Sequence, residues 1–274
     1  MTCDYAVRAL ATRGPSRPMP RLSVIVITKN EILNIGACLR SVAFADEVVV
    51  LDSGSTDGTV ELARSLGASV TASPDWPGYG PQKNRALDRA TGDWVFSIDA
   101  DEQVSPELAA QLRAAMDSGG CDAWTVNRFS NFCGQYMEHS GWYPDRVLRL
   151  FRRGTARFSD DIVHERVIAD GKVGRLTGKL LHNSMPHFES VLDKLDRYST
   201  AGAQALHAKG RKGSFGQALL HGWWAFMRTY VLKLGFLDGK LGLALAISNA
   251  EGTYYRYLKL WLMQRNPAAS GPRR

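Results

Sequence analysis

Three carboxylates close a run of apolar residues in "WVFSIDADEQVS", Trp94 to Ser105. Trp94, Val95, Phe96 and Ile98 read as a strand buried on both faces. Asp99, Asp101 and Glu102 stand at its C-terminal end. Burying an unpaired carboxylate is expensive, so these groups must be solvated, hydrogen-bonded or neutralised by a cation. A D-x-D pair alone is weak evidence, because two acidic residues in a loop usually form a solvated turn. At the end of a buried strand the same pair suits Mg²⁺ or Mn²⁺. Those ions accept a few carboxylate oxygens and take their remaining ligands from water and phosphates. Asp52 repeats the pattern after the strand Val48–Leu51. In "LDSGSTDGT" it can equally be a plain turn former.

The elements that must carry these groups alternate. "RLSVIVIT" (Arg21 to Thr28) is a Val/Ile-rich strand, followed by a helical pattern at Ile32, Ile35, Leu39 and Val42 with Asn30 as candidate cap. "EVVVLD" is a second strand, and Ser55 or Thr56 can cap the next helix, which Gly67 stops. "ASVTAS" is a third strand, "GPQKNRALDRATG" a helix, and 94–99 a fourth strand. Ser105 then caps a helix that has Pro106 at its first position. Four strand–helix alternations predict a mostly parallel sheet covered on both faces. Ligands bind such sheets outside the carboxyl ends of the strands, which places Asp52 and Asp99 on one rim. From Asp122 to His182 short strands joined by Gly and charged turns predict an antiparallel addition. From Ser190 onward the pattern is helical.

GxGxxG follows none of the strands and GxxxxGK[ST] is absent, which disfavours dinucleotide oxidoreductases and P-loop enzymes. The four cysteines show no CxxC pair, so a disulfide framework or zinc site is not expected. Residues 1–20 lack an apolar signal core and read as a disordered Arg/Pro-rich segment, with Met19 an alternative start. Residues 186–274 hold 13 Lys+Arg against 5 Asp+Glu, whereas residues 1–185 hold 21 against 22. The basic excess of the last third suggests a polyanionic partner surface. No stretch there reaches the ~18 uninterrupted apolar residues of a membrane span, and no nucleic-acid module is visible.

"SVIVITKNE", "VVVLDSGSTDGT", "QKNRAL" and "WVFSIDADE", in that order, resemble family-two glycosyltransferases of the inverting GT-A class. "YPDRVLRLFRR", "VHERV", "LLH" and "YVLKLGFLDGKLGLALA" extend the resemblance to the lipopolysaccharide-core glucosyltransferase-like subfamily. The resemblance implies a Rossmann-like catalytic domain over 21–185, with a nucleotide-sugar half (21–120) and an acceptor half (121–185). A basic, aromatic helical region, 186–274, follows it. It implies that Thr28, Asn30 and Glu31 line the nucleotide pocket, that Asp52 accepts a hydrogen bond from the base, and that Lys83 and Asn84 cover the nucleotide. Asp99 would bind the ribose side and Asp101 a Mg²⁺ or Mn²⁺ ion.

Transfer from a UDP-sugar, with glucose the expected sugar, also needs a base for the acceptor hydroxyl. The candidates are Glu165, Asp160 and Asp161; Glu165 in "VHE" is preferred, against a surface ion pair with Arg166 or Arg153. His164 falls on the opposite face of a strand. His182 is either a further metal ligand or a structural histidine. Arg146 and Arg149 are candidates for a diphosphate contact, with a plain surface position the alternative. Trp223, Trp224, Phe226, Tyr230, Phe236, Tyr254, Tyr255, Tyr257 and Trp261 interleave with Arg228, Lys233, Lys240, Arg256 and Lys259. They form either packed helices or a platform on an anionic membrane surface. The expectation is a cytoplasmic, membrane-peripheral enzyme acting on a lipid-linked glycan such as lipopolysaccharide core. Transfer to polyprenyl phosphate or protein, or a silent sugar-nucleotide-binding scaffold, are the rivals.

Overall fold

A computed structural model describes residues 19–160 and 166–265. The chain divides into two compact units. Residues up to Arg128 with Asp145–His182 form the first, and Phe129–Pro144 with residues from Asn183 onward form the second. The expected boundary after residue 185 thus falls three residues earlier, and the helical region takes a segment of the acceptor half with it.

In the first unit the strands are β1 (Leu22–Thr28), β2 (Glu47–Asp52), β3 (Ser69–Ala72), β4 (Trp94–Asp99) and β5 (Glu102–Val104). They are followed by β6 (Ala123–Phe132), β8 (Asp145–Arg152), β9 (Ala156–Phe158), β10 (Val167–Ala169) and β11 (Val173–Met185); β7 (Gln135–Tyr136) belongs to the second unit. The main sheet runs β3-β2-β1-β4-β8-β6-β11-β5, and β9 pairs with β10 separately. The pairs β3–β2, β2–β1 and β1–β4 are parallel, whereas β4–β8, β8–β6 and β11–β5 are antiparallel. This is the Rossmann-like sheet with an antiparallel extension that the sequence pattern implies.

Side chains on the parallel strands alternate between two cores. Leu22, Val24, Val26, Trp94, Phe96 and Ile98 join one cluster with residues of α1 (Ile35–Ser41), α2 (Thr59–Ser65) and α4 (Pro106–Ser118). Ile25, Val49, Leu51 and Val95 join the other with Ala86 and Leu87 of α3 (Tyr79–Leu87). A two-residue period feeding apolar residues to both faces is why the strands read as continuous hydrophobic runs.

The helix ends follow local hydrogen bonding more closely than the pattern of caps. Ser105 accepts from Leu108 N–H and Pro106 opens α4, as expected. Asn30 caps nothing: α1 starts only at Ile35, and Asn30 has a φ of 55°. Its side-chain oxygen instead accepts from Thr56 N–H, and its own N–H donates to Ser55 Oγ, so it clips two loops together. Neither Ser55 nor Thr56 caps α2: its N-cap is Gly58, at a φ of 92°, and Asp57 just before it accepts from Thr59 N–H and Thr59 Oγ1.

The second unit contains α5 (Phe188–Ala208), α6 (Phe215–Met227) and α7 (Gly239–Arg265), with a π-helical turn, Arg228–Leu232, and a 3-10 turn, Gly235–Asp238, between the last two. Ser214 and Gln217 form a capping box at the start of α6. Buried Asp238 accepts from His139 N–H, Glu138 N–H and Ser140 Oγ, which anchors the Phe129–Pro144 segment to these helices. No helix among the described residues is long and apolar enough to cross a membrane.

Strand β11 lies against α4 so closely that a Cβ on Gly178 would sit 2.6 Å from Leu108 Cα. Gln111 completes the joint by accepting from Thr177 and Gly178 N–H groups. Overpacking of a joint this tight costs about 1–3 kcal/mol. Gly178→Ala is expected to lower the thermal midpoint by several degrees; an unchanged melting curve would mean that β11 moves away from α4 at no cost.

Candidate active site

The parallel half has its topological switch at β1, whose neighbours β2 and β4 lie on opposite sides. Ligands are expected outside the carboxyl ends of the strands there. In register, Thr28 stands beside Asp52 and Ile27 beside Asp99. One rim therefore carries both carboxylates, as expected from their strand-end positions. A cavity of about 490 Å³ opens in front of Asp99. A smaller one of about 290 Å³, lined by Leu39, Asp46, Glu47 and Gly67, lies at the other end of β2 and holds none of the residues singled out.

Asp99 is held by two cations. Lys83 Nζ lies 2.9 Å from its Oδ1, and Arg149 Nη2 lies 2.6 Å from its Oδ2. The same Arg149 nitrogen reaches Glu102 Oε1 at 2.8 Å, and Glu102 Oε2 accepts from Asp99 N–H at 2.9 Å. Glu102 is fully buried and Arg149 nearly so. Burial alone would raise the Asp99 carboxyl, but the Arg149 and Lys83 charges outweigh it and hold the group well below the usual carboxylate range. Burial raises the Glu102 carboxyl; Arg149 opposes that shift and the Asp99 charge adds to it.

A local irregularity aims Arg149. On β6, consecutive Trp124 and Thr125 pair with Leu150 and Leu148, so Arg149 is the extra residue of a β-bulge. Bulges re-aim a side chain and are enriched beside active sites. The sequence left Arg149 between the diphosphate and the surface and gave Glu102 no role of its own. Glu102 was visible as a third carboxylate, but nothing in the spacing of β8 announces a bulge.

Three consecutive residues of α3 serve three different elements. Gln82 Nε2 donates to Ser53 Oγ in the loop after β2, Lys83 meets Asp99, and Asn84 makes two hydrogen bonds with the backbone of Phe158. Asn84 thus ties α3 to β9. Asp52 is buried and accepts from Gly54 N–H and Ser55 N–H at Oδ2 and from Ser55 Oγ at Oδ1. It shapes its loop and keeps acceptor capacity on Oδ1. Glu31 accepts from Asn34 Nδ2, and its N–H donates to Thr59 Oγ1. Thr28 Oγ1 is buried with no hydrogen-bond partner among the described residues. A buried orphan hydroxyl at a strand end is the kind of group a ligand satisfies.

Asp101 escapes the Arg149 network. Its Oδ2 lies 3.3 Å from His182 Nε2, because β11 pairs antiparallel with β5 and sets His182 opposite Glu102. Among the described residues no group of three or more His, Cys, Asp or Glu side chains is arranged to hold a metal. One carboxylate and one imidazole still fit an ion that takes its other ligands from water and phosphate. Asp160 is exposed. Glu165, Asp161 and His164 lie outside the described residues, as does nearly all of the 1–20 segment. Cys38, Cys121 and Cys133 are free thiols.

An α/β unit that carries Asp52 and Asp99 on one rim beside its strand switch has the arrangement in which open α/β enzymes bind their ligands. The family described as "Glycosyl transferase family 2" matches residues 23–168, and the chain belongs to it. The match contains Thr28, Asp52, Lys83, Asp99, Asp101 and Arg149 and ends before His182. The glycosyltransferase RT0209 of Rickettsia typhi is 32% identical over 92% of this chain and 91% of its own length. The lipopolysaccharide core biosynthesis glycosyltransferase LpsC of Rhizobium meliloti is 32% identical over 88% of this chain and 94% of its own. Among solved structures, Mycobacterium tuberculosis glucosyl-3-phosphoglycerate synthase, in complex with Mn²⁺, UDP and glucosyl-3-phosphoglycerate, is 27% identical. It covers 44% of this chain and 51% of that one with a TM-score of 0.35.

Removing one partner of a buried ion network costs about 3–5 kcal/mol, because the remaining charges are left uncompensated. Arg149→Met is therefore expected to lower stability strongly and to raise the Asp99 carboxyl. The depressed Asp99 value contributes stability that is full above its unfolded value of about 3.9 and is lost as pH falls through the lower folded value. In Arg149→Met that loss should begin at higher pH, read as an upward shift of the acid-unfolding midpoint. An unchanged midpoint would mean that Asp99 does not depend on Arg149.

Proposed function

We propose that this glycosyltransferase moves a sugar, glucose by its resemblance, from a UDP-sugar to a lipid-anchored glycan such as lipopolysaccharide core, with inversion. The observation that carries the reading is the division of the β4 carboxylates. Asp99 is fixed by Lys83 and Arg149, while Asp101 faces His182. The orphan hydroxyl of Thr28 and the remaining acceptor capacity of Asp52 suit a nucleotide along the same rim. The similarity to the lipopolysaccharide core glycosyltransferase LpsC over 88% of this chain supports a lipopolysaccharide-core acceptor.

In this reading Asp101 and His182 hold a Mg²⁺ or Mn²⁺ ion, which supplies charge stabilisation for a departing diphosphate. The residues of the chain do the rest. Thr28, Asn30, Glu31 and Asp52 orient the nucleoside, Asp99 meets the ribose side, and Lys83 and Asn84 close over it. Glu165 takes the proton of the acceptor hydroxyl, whose oxygen bonds to the anomeric carbon as the bond to UDP breaks and UDP leaves with the electron pair. Transfer to polyprenyl phosphate or protein is the rival transferase reading. A silent sugar-nucleotide-binding scaffold is the rival without chemistry.

Release of UDP from a panel of UDP-sugars, with and without Mn²⁺ and with a delipidated core acceptor, tests the proposal. Asp101→Ala is expected to lower turnover by about 10²-fold or more, the range seen when one group stabilising a transition-state charge is lost. Its melting temperature should stay near that of the native chain. Glu165→Gln should keep donor affinity within a few fold and lose turnover. Normal turnover of Glu165→Gln together with an inactive Asp161→Asn would move the base to Asp161. No UDP release with any donor would favour the scaffold.

The second unit supports a peripheral membrane placement. Helix α6 turns its small residues Ala218, Gly222 and Ala225 inward and leaves Phe215, Leu219, Leu220, Trp223 and Trp224 exposed. Val231, Leu232, Phe236 and Leu237 continue the exposed apolar surface, and Arg228, Lys233 and Lys240 are exposed among them. Aromatic and basic residues together suit an anionic headgroup boundary. The α7 residues are divided: Trp261 lies against Phe215 of this face at 5.8 Å, whereas others pack on neighbouring helices. Tyr257 stacks on His221 at 4.0 Å, and Lys259 is held by Asp196, Ser199 and Thr200.

Each Lys or Arg near such a surface is worth about 1 kcal/mol. Reversing Arg228, Lys233 and Lys240 to Glu is expected to weaken co-sedimentation with anionic vesicles and spare activity on the delipidated acceptor. The native protein should lose part of its binding at 1 M salt, where the Debye length is ~3 Å. Equal, negligible binding to anionic and neutral vesicles would remove the membrane from the proposal.

A further inference from the structure

The cavity in front of Asp99 is lined by more cations than anions among the described residues. Lys83, Arg128, Arg146, Arg149 and Arg166 line it, with Asp99 the one carboxylate among the described lining residues. The inner cations are committed, Lys83 to Asp99 and Arg149 to Asp99 and Glu102. Arg128 shares its charge with Asp145 at 2.7 Å. Arg146 is exposed to the cavity and pairs with no carboxylate among the described residues. Val147, Leu148, Phe158 and Val167 form apolar walls. Cations between apolar walls attract an anion more strongly than the same cations on an open surface.

Arg128 and Arg146 stand on β6 and β8, in the antiparallel half of the unit, where Asn127 pairs with Arg146 and Arg128 with Asp145. Asp101 and His182 do not line the cavity, and neither do Thr28 and Asp52. Of the groups assigned to the nucleotide, Asp99 and Lys83 form its inner wall, whereas Thr28, Asp52 and the metal-assigned Asp101 and His182 lie outside it. A volume of about 490 Å³ is in the range of small-molecule sites. Guanidinium groups match the planar or branched oxygens of carboxylates and phosphates by paired hydrogen bonds.

We propose that this cavity seats an anionic group of the acceptor, a phosphate or carboxylate carried next to the hydroxyl that receives the sugar, with Arg146 as its principal contact. The proposal rests on the transferase reading above and adds a chemical class to the acceptor: a negatively charged sugar rather than a neutral one. It also gives Arg146 a role distinct from the donor diphosphate.

The test uses the full chain and four probes, measured by titration calorimetry or ligand-observed NMR: UDP with Mn²⁺, glucose 6-phosphate, glucuronate and glucose. The native protein should bind both sugar anions and show no comparable binding of glucose. Arg146→Gln should weaken the two anions about tenfold or more, as expected for loss of a charged hydrogen-bonding partner, and leave UDP affinity within threefold. Arg146→Lys, which keeps the charge, should recover part of the loss. An equal loss of UDP and sugar-anion affinity in Arg146→Gln would overturn the proposal, because the cavity would then hold the donor diphosphate. Equal binding of glucose and glucose 6-phosphate would overturn it too. If UDP fails to bind the native protein, the transferase reading falls first, and the acceptor assignment with it.

Discussion

A single buried guanidinium holds the end of β4 together. Arg149 contacts Asp99 at 2.6 Å and Glu102 at 2.8 Å, and Lys83 closes the group from α3. Two carboxylates this close to one another would not both ionise without a cation between them. Desolvating such a network is costly, and a well-packed apolar replacement is often no less stable. Its presence here is better explained by position than by stability. It fixes the direction of the chain between Asp99 and Glu102 and therefore the place of Asp101 between them. The β-bulge at Arg149 is the backbone device that makes this possible, since regular β8 pairing would leave that residue in the ladder.

The parallel half was legible because its physics is local. Continuous apolar runs give strands buried on both faces, and strand-end carboxylates give the rim. The registers, Thr28 with Asp52 and Ile27 with Asp99, set both carboxylates on that rim. The helix starts were less legible. Asn30, Ser55 and Thr56 have the side chains of caps, yet their hydrogen bonds run to each other's loops rather than to a helix N-terminus. The same residue types serve caps and loop clips, and only tertiary contact decides between them.

The antiparallel half hid more. Short β5 follows the D-x-D so closely that it reads as a loop, yet it brings His182 to Asp101 by pairing with β11 across some eighty residues. Glu102 was left open between solvation, hydrogen bonding and a cation, and it is fully buried against Arg149. The period of β8 would set Arg146 and Arg149 on opposite faces, but only the bulge at Arg149 decides where that side chain goes. One is drawn into the carboxylate network and the other is left to the cavity.

The second unit shows the opposite relation between residue type and burial. Helix α6 packs through Ala218, Gly222 and Ala225, and a Cβ on Gly222 would lie 3.1 Å from Tyr254 Cβ. Close approach to α7 needs small residues on that face, so the large apolar residues of α6 have nowhere to go but outward. In a helix serving only its own core the two sets would be exchanged. The exposed Trp223 and Trp224 are therefore a consequence of how tightly α6 and α7 pack, and their cost in water is acceptable only where something apolar covers them. The proposed headgroup boundary would do that without demanding a partner of fixed shape, and the exposed Arg228, Lys233 and Lys240 would supply its charge complement.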